Sequence, residues 1–192
     1  MKWLTAIVVA ALLGLGGPFI GSANAQGVWS QLREDPGLVV LMRHAIAPGG
    51  GDPPGFTLGK CSTQRNLSAE GRSQARSIGR EFREQRVPID AVLSSRWCRA
   101  VDTAKLLGLG TARPKSSLDS VFTASQQVSD RKKRQTEQII RNHRGNSGVL
   151  VLVGHQANII DLTGVAPNSG GAVIVRADKN GNIKVLGQIP PP

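Results

Sequence analysis

Three short apolar runs, each stopping abruptly at polar residues, constrain this chain more than any other feature. Leu38-Val39-Val40-Leu41-Met42 ends at Arg43-His44, Ala91-Val92-Leu93 at Ser94-Ser95, and Val149–Val153 at Gly154-His155. Continuous apolar runs of this length are the pattern of strands buried on both faces. Helical periodicity separates them. Ser68 stands as an N-cap, Glu70 falls in the first turn, and Gly71, Ala75, Ile78 and Phe82 recur on one side to about Gln85. Arg72, Arg76, Arg80 and Arg83 take the other side, and Pro88 closes the element. Further helices are predicted from about Trp97 to Leu107, from Ser129 or Asp130 to about His143, and from His155 to Thr163. Asn180-Gly181, between Ala172–Ala177 and Ile183–Leu186, signals a hairpin. The sum is an α/β fold: a mainly parallel sheet with helices on both faces and a C-terminal antiparallel hairpin.

The first 25 residues stand apart from that globule. Lys2 precedes the apolar run Leu4–Leu15, Gly16-Gly17-Pro18 breaks it, and Ala23-Asn24-Ala25 offers a small-residue cleavage site. The run is too short to span a bilayer, so residues 1–25 read as a secretory signal removed near Ala25/Gln26. The expected mature chain, 26–192, is one domain, periplasmic or secreted. Export lets Cys61 and Cys98 pair, closing a 37-residue separation worth roughly 3.5–4 kcal/mol in the chain-entropy model. Without C-x-x-C spacing they are poor zinc ligands.

Losing Lys2 lowers the formal charge from +11 to +10. Aromatic residues are 4% of the chain, tyrosine is absent, and no basic motif is interleaved with aromatics, so nucleic acid is not the expected partner. The charge fits attraction to anionic envelope surfaces or phosphorylated glycans better. Arg131-Lys132-Lys133-Arg134 reads as a solvated helix face, and His143, beside two arginines, as a solvated helix residue. Gly55–Cys61 imitates a P-loop, but Pro54 occupies the first glycine position, Cys61 replaces the Ser/Thr, and no strand leads into it.

In open α/β sheets ligands bind beyond the carboxyl ends of the strands. Two of the three histidines, His44 and His155, fall there, with Arg43, Arg96 and Arg99. Guanidinium groups present planar forks of donors suited to phosphate oxygens, and helices starting after Arg96 and His155 would add N-terminal amides. One imidazole could attack phosphorus while the other steadies the equatorial oxygens.

These residues carry a family resemblance. Leu41-Met42-Arg43-His44-Ala45 resembles the R-H-G signature of the histidine phosphatase (phosphoglycerate mutase-like) superfamily. Arg65-Asn66-Leu67-Ser68-Ala69-Glu70-Gly71-Arg72-Ser73-Gln74-Ala75 resembles the family's N/R-x-L-S-x-x-G-x-x-Q-A segment. Ser94-Ser95-Arg96-Trp97-Cys98-Arg99-Ala100-Val101-Asp102-Thr103-Ala104 is similar to S-S-x-x-x-R-A-x-x-T-A, and Val151–His155 to the strand bearing the second histidine. The four motifs stand in family order and cover nearly all of Leu38–Thr163.

The resemblance implies an α/β phosphatase in which His44 becomes a phosphohistidine that water hydrolyses, without metal or organic cofactor. Arg43, Arg99 and His155 would complete the phosphate pocket, and Arg96, standing where the family often has proline, is a further phosphate contact or a surface residue. Arg65 and Asn66 either line the pocket or pin the helix entry and loop, the second being the preferred reading. Ala45 replaces the usual glycine. Many members place a glutamate two residues after a leucine, where Leu118-Asp119-Ser120 has serine, so Asp119 becomes the proposed proton donor. The absence of a long lid insertion argues against a mutase. The expected substrate is a small phosphomonoester. The alternatives are a lipopolysaccharide-core sugar phosphate, or a non-catalytic role binding a phosphorylated ligand.

Overall fold

Residue alternation along the first strand decides how the layers assemble. In a computed structural model describing residues 20–192, β1 (Val39–Arg43) turns Val40 and Met42 to one face of a sheet and Val39 and Leu41 to the other. Both sets are buried, so both faces must be covered. The first is covered by α1 (Ile20–Glu34), α2 (Ala69–Glu84) and α3 (Cys98–Leu107), through Trp29, Leu32, Ile78, Phe82, Ala104 and Leu107. The second is covered by α4 (Gln126–His143) and α5 (Gln156–Thr163), through Ile140 and Ile159. The expected leader lies mostly outside the described residues, and α1 runs through the predicted cleavage junction.

The sheet also holds β2 (Ile89–Ser94), β3 (Ala112–Pro114), β4 (Val149–Gly154), β5 (Ala172–Ala177) and β6 (Ile183–Ile189), in the order β3-β2-β4-β1-β5-β6. β1, β2, β3 and β4 run parallel, and β5 and β6 form the antiparallel end. Register does the functional work. Arg43 pairs with Gly154 and Ser94 with Val153, so His44, His155 and Ser95 leave adjacent strand ends together. The backbone N–H of His44 donates to Gly154 and that of Ser95 to Val153, at 3.0 and 2.8 Å. β1 and β4 are neighbours whose next helices, α2 and α5, lie on opposite faces. That divergence opens a crevice between them.

Four sequence expectations are corrected. β3 was not predicted: it is a three-residue, largely exposed edge strand containing Pro114, with no apolar pattern to announce it. Helix α4 starts at Gln126, earlier than predicted: Ser125 stands at the N-cap position, and Ser129 lies inside the helix with its hydroxyl donating to the Asp161 carboxylate. His143 is buried, pairing through Nε2 with the Gly148 carbonyl at 3.1 Å as the chain turns into β4. Nor is the basic run wholly solvated. Lys132 folds inward, donating to the Ser116 carbonyl at 2.6 Å.

α2 and α3 meet where Gly79 lies against the backbone of Leu107. A Cβ at position 79 would stand 1.8 Å from the Leu107 carbonyl oxygen. Backbone cannot step aside as a side-chain tip can, so the helices must separate. Gly79→Ala is therefore expected to destabilise by about 1–3 kcal/mol despite the better helix propensity of alanine, read as a lower urea midpoint.

Candidate active site

The turn after β1 is clamped from two helices, which fixes the His44 ring. Thr103 Oγ1 on α3 accepts the Ala45 N–H at 3.0 Å and donates to the Arg99 carbonyl at 2.7 Å. Gln74 on α2 accepts the Ile46 N–H through Oε1 at 3.1 Å and donates through Nε2 to the Ser169 carbonyl at 3.0 Å. The Ser68 N–H donates to the Ile46 carbonyl at 3.1 Å, and the Ser68 hydroxyl caps α2 by accepting the Gly71 N–H at 3.0 Å. Gly71 permits this approach: a Cβ there would lie 2.0 Å from the Ile46 oxygen. The polar positions of the second and third motifs thus bind the backbone next to His44.

His44 is buried, and its Nδ1 lies 2.8 Å from the Ala45 carbonyl. A carbonyl only accepts, so Nδ1 carries the hydrogen and the lone pair belongs to Nε2. The His155 ring stands 5.5 Å away, centroid to centroid, with its Nε2 paired to Ser95 Oγ at 2.8 Å. Both rings line a cleft of about 510 Å³ with Arg43, Arg65, Arg99 and Asp52. Burial pushes the His44 pKa down to about 3, and Arg99, Arg65 and Arg43 add to the effect against the opposing Ala45 hydrogen bond. Burial also holds His155 well below the usual imidazole range, with His44 and the same arginines contributing. The cleft is cationic.

The loop carrying Asp52 brings a carboxylate to the cleft wall. Arg99 Nη1 and Nη2 donate to Asp52 Oδ1 and Oδ2 at 2.7 and 3.2 Å. Trp97 Nε1 donates to Oδ2 at 2.9 Å and the Arg65 N–H to Oδ1 at 3.2 Å. Burial alone would raise the Asp52 pKa, but the hydrogen bonds from Arg99 and Trp97 hold it below the usual carboxylate range. Arg43 Nη1 donates to the Pro167 carbonyl at 3.2 Å, while the buried Nε atoms of Arg43 and Arg99 have no partner among the described residues. Neither guanidinium is saturated by the protein.

His44, Arg43, Arg99 and His155 are therefore brought together, whereas Asp119 and Arg96 are not part of the cleft wall. The Asp119 side chain is buried, accepting from the Arg96 N–H at 3.0 Å and Arg96 Nε at 2.9 Å, with Lys132 Nζ at 3.5 Å. This corrects the proton-donor expectation for Asp119 and leaves Arg96 as the surface residue that was its alternative reading: the two side chains satisfy each other, a pairing visible only in three dimensions. Arg65 both pins its loop, through Gly51 and Ala47 carbonyls, and lines the cleft. Asn66 pins the loop through the Cys61 carbonyl at 2.7 Å. Cys61 and Cys98 are joined, with Cα atoms 5.7 Å apart. Asp52, Phe56, Trp97 and Phe122 also line the cleft and were not anticipated there: Asp52, Phe56 and Phe122 sit on irregular loops with no spacing to mark them, and Trp97 occupies an unspecified position of the third motif.

Two measurements follow. In the folded chain His44 stays neutral at pH values where the unfolded chain takes up a proton near 6.5, so protons favour unfolding. Stability should fall as pH drops from about 6.5 to 5, at up to about 1.4 kcal/mol per pH unit for each such ring. Denaturant titrations of His44→Asn should show a shallower slope than wild type. Asp52→Ala strips the Arg99 fork of its acceptors and should cost about 1–3 kcal/mol. Because an oxyanion can replace the carboxylate, inorganic phosphate should raise the melting temperature of this variant more than that of wild type.

Comparisons with known proteins bear on the fold. Residues 39–121 match the family model of the histidine phosphatase superfamily (branch 1). No curated protein matches the sequence. Among solved structures, the protein histidine phosphatase SixA complexed with tungstate is similar at 20% identity and a TM-score of 0.55, covering 80% of this chain and 97% of SixA. A Mycobacterium tuberculosis open reading frame product is similar at 18% identity and a TM-score of 0.62, with the same coverage of 80% and 97%. Phosphoserine phosphatase from Entamoeba histolytica, in complex with 3-phosphoglyceric acid, is similar at 14% identity and a TM-score of 0.57, covering 79% of this chain and 95% of that one. Its four sequence motifs gather at one sheet end, residues 39–121 match the histidine phosphatase superfamily model, and the chain shares its fold with these proteins.

Proposed function

We propose that the chain is an exported phosphatase that hydrolyses phosphomonoesters through a phosphohistidine on His44. The observation that carries this reading is the state of the His44 ring. Its Nδ1–H is committed to the Ala45 carbonyl, which leaves an unprotonated Nε2 facing a cleft with three guanidinium groups. Nε2 attacks phosphorus, the P–O ester bond breaks, and the electron pair departs with the leaving oxygen. Arg43, Arg65 and Arg99 offset the charge on the equatorial oxygens, and His155 supports them from β4. Water then attacks phosphorus, the P–N bond breaks, and phosphate leaves as His44 is restored. The neutral imidazole needs no base to activate it at neutral pH.

A leader ending near Ala25 and a Cys61–Cys98 pair support export to the periplasm or beyond. The test uses the mature chain with p-nitrophenyl phosphate, in EDTA, from pH 4 to 8. Turnover is expected to persist in EDTA, and His44→Ala to lower kcat at least about 10³-fold. A rapidly quenched reaction should trap an acid-labile, alkali-stable phosphoryl group on the wild type only. A folded protein stabilised by phosphate yet lacking turnover would instead be a binding protein for phosphorylated ligands.

A further inference from the structure

The five aromatic residues from position 27 onward divide cleanly by location. Trp29 and Phe82 meet edge to face in the core, with centroids 5.1 Å apart. Phe56, Trp97 and Phe122 all line the cleft. Phe56 stacks on Trp97 at 5.1 Å and 17°. Phe122 is 70% exposed and Ile160, across the same cleft, 41%. Folding gains nothing from a phenylalanine left in water, and exposed apolar groups gathered beside a polar pocket mark a contact surface. These apolar groups share the cleft with Arg43, Arg65 and Arg99. The occupant therefore combines an anionic group with a flat apolar one.

A second observation concerns protons. Among the described residues Asp52 is the single carboxyl group on the cleft wall, and four donors occupy its oxygens. Asp119 is turned away into its contacts with Arg96 and Lys132. The remaining polar lining includes Ser120, Thr123 and Gln156, whose hydroxyls and amide are too weakly acidic to protonate an alkoxide. A general acid contributes about 10²–10⁴-fold, and this cleft lacks a carboxylic acid to serve as one. The departing oxygen must leave as a stable anion.

From these two observations we infer that the substrates are aryl phosphomonoesters, with the ring seated against Phe56, Phe122 and Ile160 and a phenolic oxygen as leaving group. The inference rests on the phosphatase reading above. As the His44 Nε2–P bond forms, the P–O(aryl) bond breaks and its electron pair departs as phenolate, which takes a proton from bulk water. A second water then cleaves the P–N bond, releasing phosphate.

The test compares 1-naphthyl phosphate, a nucleoside 5′-monophosphate and glucose 6-phosphate on the mature chain. The first has a ring and an acidic leaving group, the second a ring and an alkoxide, the third neither. We expect kcat/KM for the naphthyl ester to exceed that for glucose 6-phosphate by about 10²-fold or more. The nucleotide should compete for the cleft but turn over slowly. Phe122→Ser should cut the naphthyl-to-glucose preference about tenfold, mainly through KM. Glucose 6-phosphate or nucleotide turned over within tenfold of the naphthyl ester overturns the inference alone, as does a preference unchanged in Phe122→Ser. No turnover of any of the three overturns the phosphatase reading, and the inference with it.

Discussion

Everything proposed for this site depends on one hydrogen bond, from His44 Nδ1–H to the carbonyl of its own neighbour, Ala45. That bond selects the tautomer and so places the reactive lone pair on Nε2. It is only as reliable as the peptide that accepts it. Thr103 holds the Ala45 N–H, Gln74 the Ile46 N–H, and Ser68 the Ile46 carbonyl. The same Thr103 hydroxyl donates to the Arg99 carbonyl, so the turn carrying His44 and the backbone of Arg99 are tied through one atom. Rotation of the imidazole would require displacing backbone held by two helices. Side chains that hold the backbone around a ring in this way fix the ring's own orientation.

Charge is arranged with the same economy. Three guanidinium groups around two imidazoles would be self-repelling if the rings were protonated, and burial keeps the rings neutral. Arg99, the most deeply buried of the three, lies against Asp52, whose two oxygens match its fork as a phosphate would. The carboxylate limits the cost of holding a buried cation in an empty cleft. An incoming dianion competes for the same donors, and Gly49 and Gly51, both at positive φ, lie just before Asp52 in the chain.

Most of the fold and the centre of the site were legible in the sequence because they depend on local periodicity and strand register. His44 and His155 follow apolar runs that pair in parallel, so knowing where the runs end was enough to bring the rings together. The misses share a different cause. Asp119 and Arg96 looked like available chemistry, but Arg96 donates to Asp119 through both backbone and side chain. Ser129 looked like a cap and was used by Asp161. In each case the partner is more than 20 residues distant, and no spacing rule reports it. Asp52 and Phe122 were missed for a related reason: their positions follow from irregular loops, where neither period applies.

The loop from Ala47 to Ser62 supplies Asp52 and Phe56, yet it contains no strand and no helix until the short 3₁₀ turn Cys61–Thr63. Its order must come from the anchors at its base. Cys61 joins Cys98, the first residue of α3. Gln64 accepts the Cys98 N–H at 2.9 Å and donates to the Thr57 carbonyl at 3.2 Å. Cys98 lies between Trp97 and Arg99 in sequence, so the sulfur bridge anchors the loop beside the two residues that hold Asp52 and stack on Phe56. Reduction would remove the covalent tie that closes this wall. An oxidising compartment would therefore complete the substrate side of the cleft, which links the proposed export of the chain to its proposed chemistry.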